Sequence, residues 1–430
     1  MTLARDRGRS LMLAPLVPEP TGNGLAMRAA TSLEALARLG DVTLVVVPAA
    51  DPEAARRDAG WARERCERLV LMALPSGREA AAAWLASPTG RRIAAAAGSL
   101  PSLARGVPPV LGSRLAAELG RGFERIFTLR LYLSGVALGW RDAEAAGAPQ
   151  LVLDLDEDDA ATLSAIARLE AARGVGDRAR KTREEAEAFG RLAGAALPNF
   201  DRLLASTVLE AQGLAAATGG REIVVVPNAV RRPGNGDSPG RPPASSAGSA
   251  APRLLLVGNY SYLPNVDAAE RLVRGILPRL RESRSEAEAH LVGGGGGSVL
   301  EALAREDGAV VHGWVDDLRP HYGAAAVVVV PLRAGGGSRL KILEAAAHGV
   351  PVVATPVAAR GLEGLRDGRE IRLAESDDEL ALAVRTVLDD PAAAAAVAER
   401  ARDRVLAAHA ADRVAADLAT LLETPSTGRR

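Results

Sequence analysis

Hydrophobic positions fall into two rhythms along the chain. Short apolar runs occur at SLMLAPLV (10–17), DVTLVVVP (41–48), RLVLMALP (68–75), QLVLDLD (150–156), RLLAS (202–206) and EIVVVPN (222–228). They are rich in Val, Leu and Ile and show little alternation, as parallel strands buried on both faces require. Between them lie Ala-, Arg- and Glu-rich stretches with helical character, the first over about 25–39. The same rhythm restarts after residue 252 with RLLLVGN, a helix around 265–280, then AHLVGG, GAVVHGW, AAAVVVVP and PVVAT as strands. From Glu379 the pattern is helical almost to the end. Strands alternating with helices imply an α/β doubly wound parallel sheet, and the restart implies two of them. Residues 80–125 are Ala-rich with weak periodicity, and their elements are not assignable from the pattern.

RRPGNGDSPGRPPASSAGSAAP separates the two blocks with the Pro, Gly and Ser density of a linker. The expected organisation is a Rossmann-like domain over 1–230, a linker over 231–252, a second Rossmann-like domain over 253–405, and a C-terminal helix and tail over 406–430. Ligands are expected in a cleft at the carboxyl ends of both sheets.

A chain of 430 residues is too long for one ordinary core. The 53 basic and 53 acidic residues cancel, and aromatics are only 3%, which argues against a nucleic-acid binder. One Cys excludes an internal disulfide, and no Cys/His spacing suits a metal. The first residues carry too short an apolar stretch for a signal peptide, and no run of about 18 apolar residues occurs, so a cytoplasmic protein without an integral membrane segment is expected. A peripheral membrane association stays open.

The densest chemistry lies in AAAVVVVPLRAGGGSRLKILEAAAHGVPVVAT. A buried strand leads through Gly335, Gly336 and Gly337 into a helix for which Ser338 is the expected cap. Arg339 and Lys341 fill its first turn, where cations oppose the helix dipole at roughly 0.3–1 kcal/mol each unless an anion docks there. Glycine turn, free N–H groups and cations together suit a diphosphate. Glu344, one turn on, sits between Leu343 and Ala345 and needs polar partners that a ribose would supply. A nucleoside diphosphate is the implied ligand. GNGLAM (22–27) lacks the third glycine of a dinucleotide fingerprint, and GGGGG (293–297) suits a phosphate approach or a plain turn equally.

Across nearly its whole length the chain resembles the GT-B glycosyltransferases of the retaining, family-4-like sort, with the exopolysaccharide-type sugar transferases as the suggested subgroup. The likeness is carried by VVHGWVDDLRPHYGAAAVVVVPLRAGGGSRLKILEAAAHGVPVVAT, IVVVPNAV and LLLVGNYSYLPNVDAAERL. It implies a glycosyltransferase, moving sugar from a nucleotide sugar to a glycan, lipid-linked or small-molecule acceptor, with no metal and no cofactor beyond the nucleotide-sugar co-substrate. It also implies an acceptor-side role for 1–230, a nucleotide-sugar-binding role for 253–405, and a return of the 406–430 helix and tail to the first domain. Glu344 matches the second Glu of the family's pair, the ribose holder. The first falls at Gly336, so backbone N–H groups of Gly336 and Gly337 are expected to replace it. GNYSYLPN lacks the family's Arg and Lys, and Arg339 and Lys341 are expected to take over the phosphates; with Glu344 they form the candidate catalytic set. Gly22, Asn23 and Gly24, with Arg28 on the next helix, match the N-terminal glycine loop facing the donor. Trp314 falls near the base, with core packing the favoured role. Asp154 and Asp156 are acceptor-side candidates, while Glu157, Asp158 and Asp159 read at least equally well as solvated loop charge. The family's N-terminal histidine has no counterpart here, since all five histidines lie at or beyond His290. Rival readings are a GT-A enzyme holding a divalent ion on Asp154 and Asp156, a GT-B epimerase or phosphorylase, and a degenerate, non-catalytic nucleotide-sugar-binding subunit.

Overall fold

The structure is a computed structural model that describes residues 8–49, 59–143, 148–234, 251–337, 339–362 and 364–424. Most of the Pro/Gly/Ser linker, together with Ser338, lies outside the described residues. The chain forms two compact units, described here in turn. The first takes the chain up to Ala229, the short stretch 336–337, and the chain from Asp412 onward; the second takes Val230–Gly335 and Arg339–Ala411.

The first unit is built on seven parallel strands: β1 (Gly8–Ala14), β2 (Gly40–Val46), β3 (Arg68–Leu71), β4 (Arg125–Leu129), β5 (Gln150–Asp154), β6 (Arg202–Ala205) and β7 (Ile223–Val225). Their order is β3-β2-β1-β4-β5-β6-β7, so the winding reverses between β1 and β4. In register, Met12 of β1 faces Leu44 of β2 on one side and Phe127 of β4 on the other. The strand β4 is absent from the pattern reading, although it supplies the central neighbour of β1. Residues 80–125 fold mainly as helices, Gly77–Ala86, Pro88–Ala97, Ser102–Arg105 and Val110–Leu119, before β4 begins. Their few large apolar side chains, Trp84, Ile93, Leu111 and Leu115, enter one core with Phe123 and Trp140. Phe123 meets Trp140 edge-on at 5.5 Å, an arrangement the ring quadrupoles favour. The last helix, Ala411–Glu423, is held to this unit by Arg38, which donates to the carbonyl of Asp412 at 3.2 Å, and by Arg202, which donates to those of Leu421 and, at 2.7 Å, Thr424.

The second unit carries six parallel strands: β8 (Arg253–Val257), β9 (Glu288–Val292), β10 (Ala309–Gly313), β11 (Val327–Val330), β12 (Val352–Ala354) and β13 (Arg372–Leu373). Their order is β10-β9-β8-β11-β12-β13, with the reversal between β8 and β11. The β11 run of four valines is buried, as its composition predicts. The segment after β8 forms a helix from Leu263 whose middle, Arg271–Ile276, is a π-helical stretch. Helix Leu340–Ala347 links β11 to β12. It begins with Arg339 at the cap position, and no side chain caps it. In doubly wound sheets ligands bind beyond the carboxyl ends of the strands where the winding reverses. In this unit that place lies between the segment following β8 and the segment following β11.

Candidate functional site

The turn after β11 is shaped by glycine. Gly335 has φ +126° and Gly337 φ +67°, backbone that an L side chain enters only at a cost. The chain thereby doubles back to start a helix whose first residues carry Arg339 and Lys341. Arg339 is 7% exposed and donates to the carbonyl of Gly335 at 3.1 Å and, more loosely, to that of Arg360 at 3.4 Å. Lys341 is half-buried, and its Nζ donates to Oδ1 of Asn265 at 2.6 Å. Burial, and secondarily the charge of Arg339, push the Lys341 ammonium down to about 8, against a smaller opposing pull from Glu344. Two cations thus share one helix start, with the Glu344 carboxylate one turn away.

Glu344 is also half-buried, and Tyr322 donates to its Oε2 at 3.2 Å. Burial pushes its carboxyl up to about 7, opposed by the Tyr322 bond and by Lys341. The Tyr322 ring stacks on His348 at 4.8 Å with planes 10° apart, which fixes the hydroxyl below the carboxylate. The structure thus brings Gly335, Arg339, Lys341 and Glu344 to one end of the second sheet. Asn265 and Tyr322 join them from two other stretches that carry the family likeness, although neither residue stands out in the sequence as a site residue.

Trp314 does not pack in the core. It is 66% exposed, and a Cβ on Gly294 would lie 3.6 Å from its ring, so it stands over the glycine loop that follows β9. The reason is topological: Trp314 follows β10, an edge strand, beyond the end of its pairing with β9.

In the first unit, Gly22 adopts φ +92°, and Asn23 caps helix Gly24–Leu39 by accepting from the N–H of Leu25 at 2.9 Å. Arg28 of this helix is not a free cation. Its Nη2 meets Asp154 Oδ1 at 2.7 Å and its Nε meets Oδ2 at 2.9 Å, while Nη1 donates to Asn228 Oδ1 at 2.9 Å and to the carbonyl of Val226 at 3.1 Å. With Arg28 4% and Asp154 1% exposed, this is a buried bidentate pair. The Arg28 guanidinium is thus committed to Asp154, Asn228 and Val226, and the Asp154 carboxylate to Arg28 and the N–H of Asp156, so the two expected site residues are first of all partners of each other.

Asp156 and its neighbours are not solvated loop charge either. Arg130, just past β4, meets Asp156 at 3.2 Å and Glu157 at 2.8 Å, and pairs with Asp159. Asp158 caps the following helix through the N–H of Ala161 at 3.0 Å. Arg130 and Asp156 hold left-handed backbone at φ +81° and +62°, uncommon for residues with a side chain. Burial pushes the Asp159 carboxyl up to about 7 despite Arg130, because Glu157, Asp156 and Asp158 crowd it. With Asp154 and Asp156 both committed to arginines, the reading of this pair as ligands for a divalent ion loses its donors. Sequence reasoning missed Arg130 altogether; its only signal, a strand ending in Arg beside a later acidic run, links residues 26 or more positions apart.

A further polar cluster lies on β9, β10 and the segment before β11. His290 Nδ1 and His312 Nε2 are 2.9 Å apart, His290 Nε2 meets Glu288 at 3.0 Å, and the ring of His321 meets that of His312 edge-on at 4.6 Å. Burial, followed by neighbouring imidazole charge, pushes both His312 and His321 down.

Residues 251–390 match the family described as Glycosyl transferases group 1. The D-inositol 3-phosphate glycosyltransferase of Kineococcus radiotolerans is 34% identical over 234 residues, 47% of this chain and 53% of the relative. The match therefore spans about half the length of that curated relative. Among solved structures, the chain is similar to sucrose-phosphate synthase from Thermosynechococcus elongatus, with a TM-score of 0.66 at 18% identity over 97% of this chain and 98% of the other. Anabaena HepE in complex with UDP and glucose gives a TM-score of 0.62 at 14% identity, over 96% and 99%. The UDP-forming α,α-trehalose-phosphate synthase from Burkholderia xenovorans gives 0.63 at 12%, over 97% and 100%. The solved structures and the two all-parallel sheets give this chain the GT-B fold, and its residues 251–390 form a glycosyl transferases group 1 segment.

Proposed function

We propose that this chain transfers a sugar from a nucleotide-diphosphate sugar to an acceptor hydroxyl, with retention and without a metal ion. The observation that carries the reading is the helix start after the glycine turn, where Arg339 and Lys341 lie within one turn and the Lys341 ammonium rests on the neutral amide of Asn265. A departing diphosphate would meet that charge, and cations placed before the reaction stabilise the leaving group most in a site with little water. Arg339 and Lys341 take the phosphates, and Glu344 accepts from ribose hydroxyls. Trp314, exposed above Gly294, offers a face to the base. The UDP and glucose bound in the Anabaena structure are the chemistry this arrangement would take.

Retention fits a site in which a leaving phosphate oxygen accepts the acceptor's proton, so that no strong base is required. Metal independence follows from the same two cations, which do the work a divalent ion would do on the diphosphate. The acceptor class is a glycan, a lipid-linked sugar or a small molecule, in a cytoplasmic setting; polysaccharide assembly is the proposed context.

The test is release of nucleoside diphosphate from a panel of UDP-, GDP- and dTDP-sugars, with and without chelator. Turnover of one donor, unaffected by chelator, supports the reading. Binding without turnover on any donor or acceptor would make the chain a nucleotide-sugar-binding subunit, and loss of turnover with chelator would overturn the metal-free step.

A further inference from the structure

Lys341 and Asn265 come from opposite sides of the place where the second sheet reverses its winding. Lys341 follows β11 and Asn265 follows β8, its immediate neighbour in the sheet. The bond between them, Nζ to Oδ1 at 2.6 Å, is short for an amide acceptor. The orientation of the amide is fixed from its other end, where Asn265 Nδ2 donates to the carbonyl of Asn259 at 2.8 Å. Asn265 is itself 7% exposed, and its backbone N–H donates to the carbonyl of Tyr262 at 2.9 Å. Gly258 packs so closely that a Cβ there would lie 3.0 Å from the Asn265 side-chain carbon. A rotated amide would place its N–H against an ammonium and its oxygen against the carbonyl oxygen of Asn259. The oxygen therefore faces Lys341 by construction.

We propose that Asn265 is the positioning residue of the diphosphate seat: it aims the Lys341 ammonium with a neutral acceptor and leaves its charge for the ligand. The inference rests on the reading that Lys341 meets a diphosphate. The choice of an amide matters chemically. A carboxylate at position 265 would aim the ammonium equally well, but it would also form an ion pair and cancel the field that draws in an anion. An apolar side chain would leave the charge but lose the aim, because a four-carbon stem samples many rotamers. The amide alone does both. The depressed Lys341 ammonium, at about 8, agrees with a cation that is held but not neutralised. The residue acts through Lys341 and needs no contact of its own with substrate.

Calorimetry with UDP and uridine on the full chain, between about pH 7 and 9, tests this, because the diphosphate is ionised there while Lys341 titrates, and uridine controls for ionisation of the uracil N–H near the top of the range. In the wild type, UDP affinity should fall as pH rises through the Lys341 midpoint, and uridine affinity should not follow that midpoint. Asn265→Asp should weaken UDP at neutral pH by about tenfold or more, leave uridine within about twofold, and move the midpoint upward. Asn265→Ala should also weaken UDP but move the midpoint downward, so a folding defect in the Asp variant leaves the second sign to be read. A merely structural bond would lower melting temperature and shift neither midpoint, and that result overturns the inference. Lys341→Ala separates the two levels. If it leaves UDP binding and its pH dependence intact, the diphosphate reading itself fails; if it abolishes both while the Asn265 variants match wild type, only the positioning role fails.

Discussion

Replacing Glu344 by Gln should make the second unit more stable and its nucleotide binding weaker, with both effects set by one buried carboxyl. On folding, this group rises from an ordinary 4.5 to about 7 because burial penalises its charged form. The folded chain thus holds the proton more tightly than the unfolded chain. Below pH 4.5 the carboxyl is protonated in both states and costs nothing. As pH rises through about 7 the folded state must ionise it, and stability falls by up to about 3 kcal/mol. Between pH 5 and 8 the loss is roughly 2–3 kcal/mol. Gln keeps an oxygen for the Tyr322 hydroxyl but cannot ionise, so the variant escapes that loss. Hydrogen exchange of peptides spanning β11 to β12, corrected for intrinsic rates, reads the opening free energy of this unit without requiring the whole chain to unfold in one step. Wild type and variant should agree near pH 5 and separate by roughly 2 kcal/mol or more at pH 8. UDP should bind the variant more weakly by roughly 1–3 kcal/mol, since a charged acceptor for ribose is gone. An equal change in protection for both proteins from pH 5 to 8 would refute the buried, raised carboxyl, whatever happens to the nucleotide.

Other expectations follow from the same geometry. Arg28→Ala strands Asp154 in a buried site and should destabilise the first unit by about 3–5 kcal/mol, read by urea unfolding, whereas a free donor-binding arginine would show almost no loss. Gly337→Ala places a side chain at φ +67° and should cost about 1–2 kcal/mol of local stability while weakening donor binding; melting and calorimetry together detect it, and unchanged values would mean the turn relaxes freely. Trp314→Ala should leave melting almost unmoved, given 66% exposure, yet weaken UDP by about 0.5–1.5 kcal/mol; equal affinity would remove it from the base side.

The alternation of apolar runs and helical stretches made both sheets legible, because parallel strands buried on two faces leave an unmistakable Val- and Leu-rich signature. It located β11, its glycine turn and the Glu344 helix for the same reason. What it hid depends on pairing across long separations. Arg28 and Asp154 are 126 residues apart, and nothing local to either marks them as partners, so each looked like a free functional charge. Lys341 and Asn265 are 76 apart, and an Asn after a proline carries no motif of its own. The Ala-rich helices before β4 were opaque because alanine serves equally on a buried or an exposed face, leaving Trp84, Ile93, Leu111 and Leu115 as sparse markers of the core side. Trp314 misled through its chemistry: a large apolar ring normally signals a core, and only the edge position of β10 puts it outside.

The charge networks described above close within units. Arg28, Asp154 and Asn228 belong to one, and Lys341, Asn265, Tyr322 and Glu344 to the other. Recombination between relatives could therefore exchange a nucleotide-binding half without separating any of these partners. A single crossover in the Pro/Gly/Ser segment would not do so cleanly, because helix Ala411–Glu423 is tied to the first unit through Arg38 and Arg202. A chimera with one junction would import a foreign closing helix along with the new half, whereas a second junction near Ala411 would let the first unit keep its own. Donor preference in such proteins should thus move as a cassette with two seams.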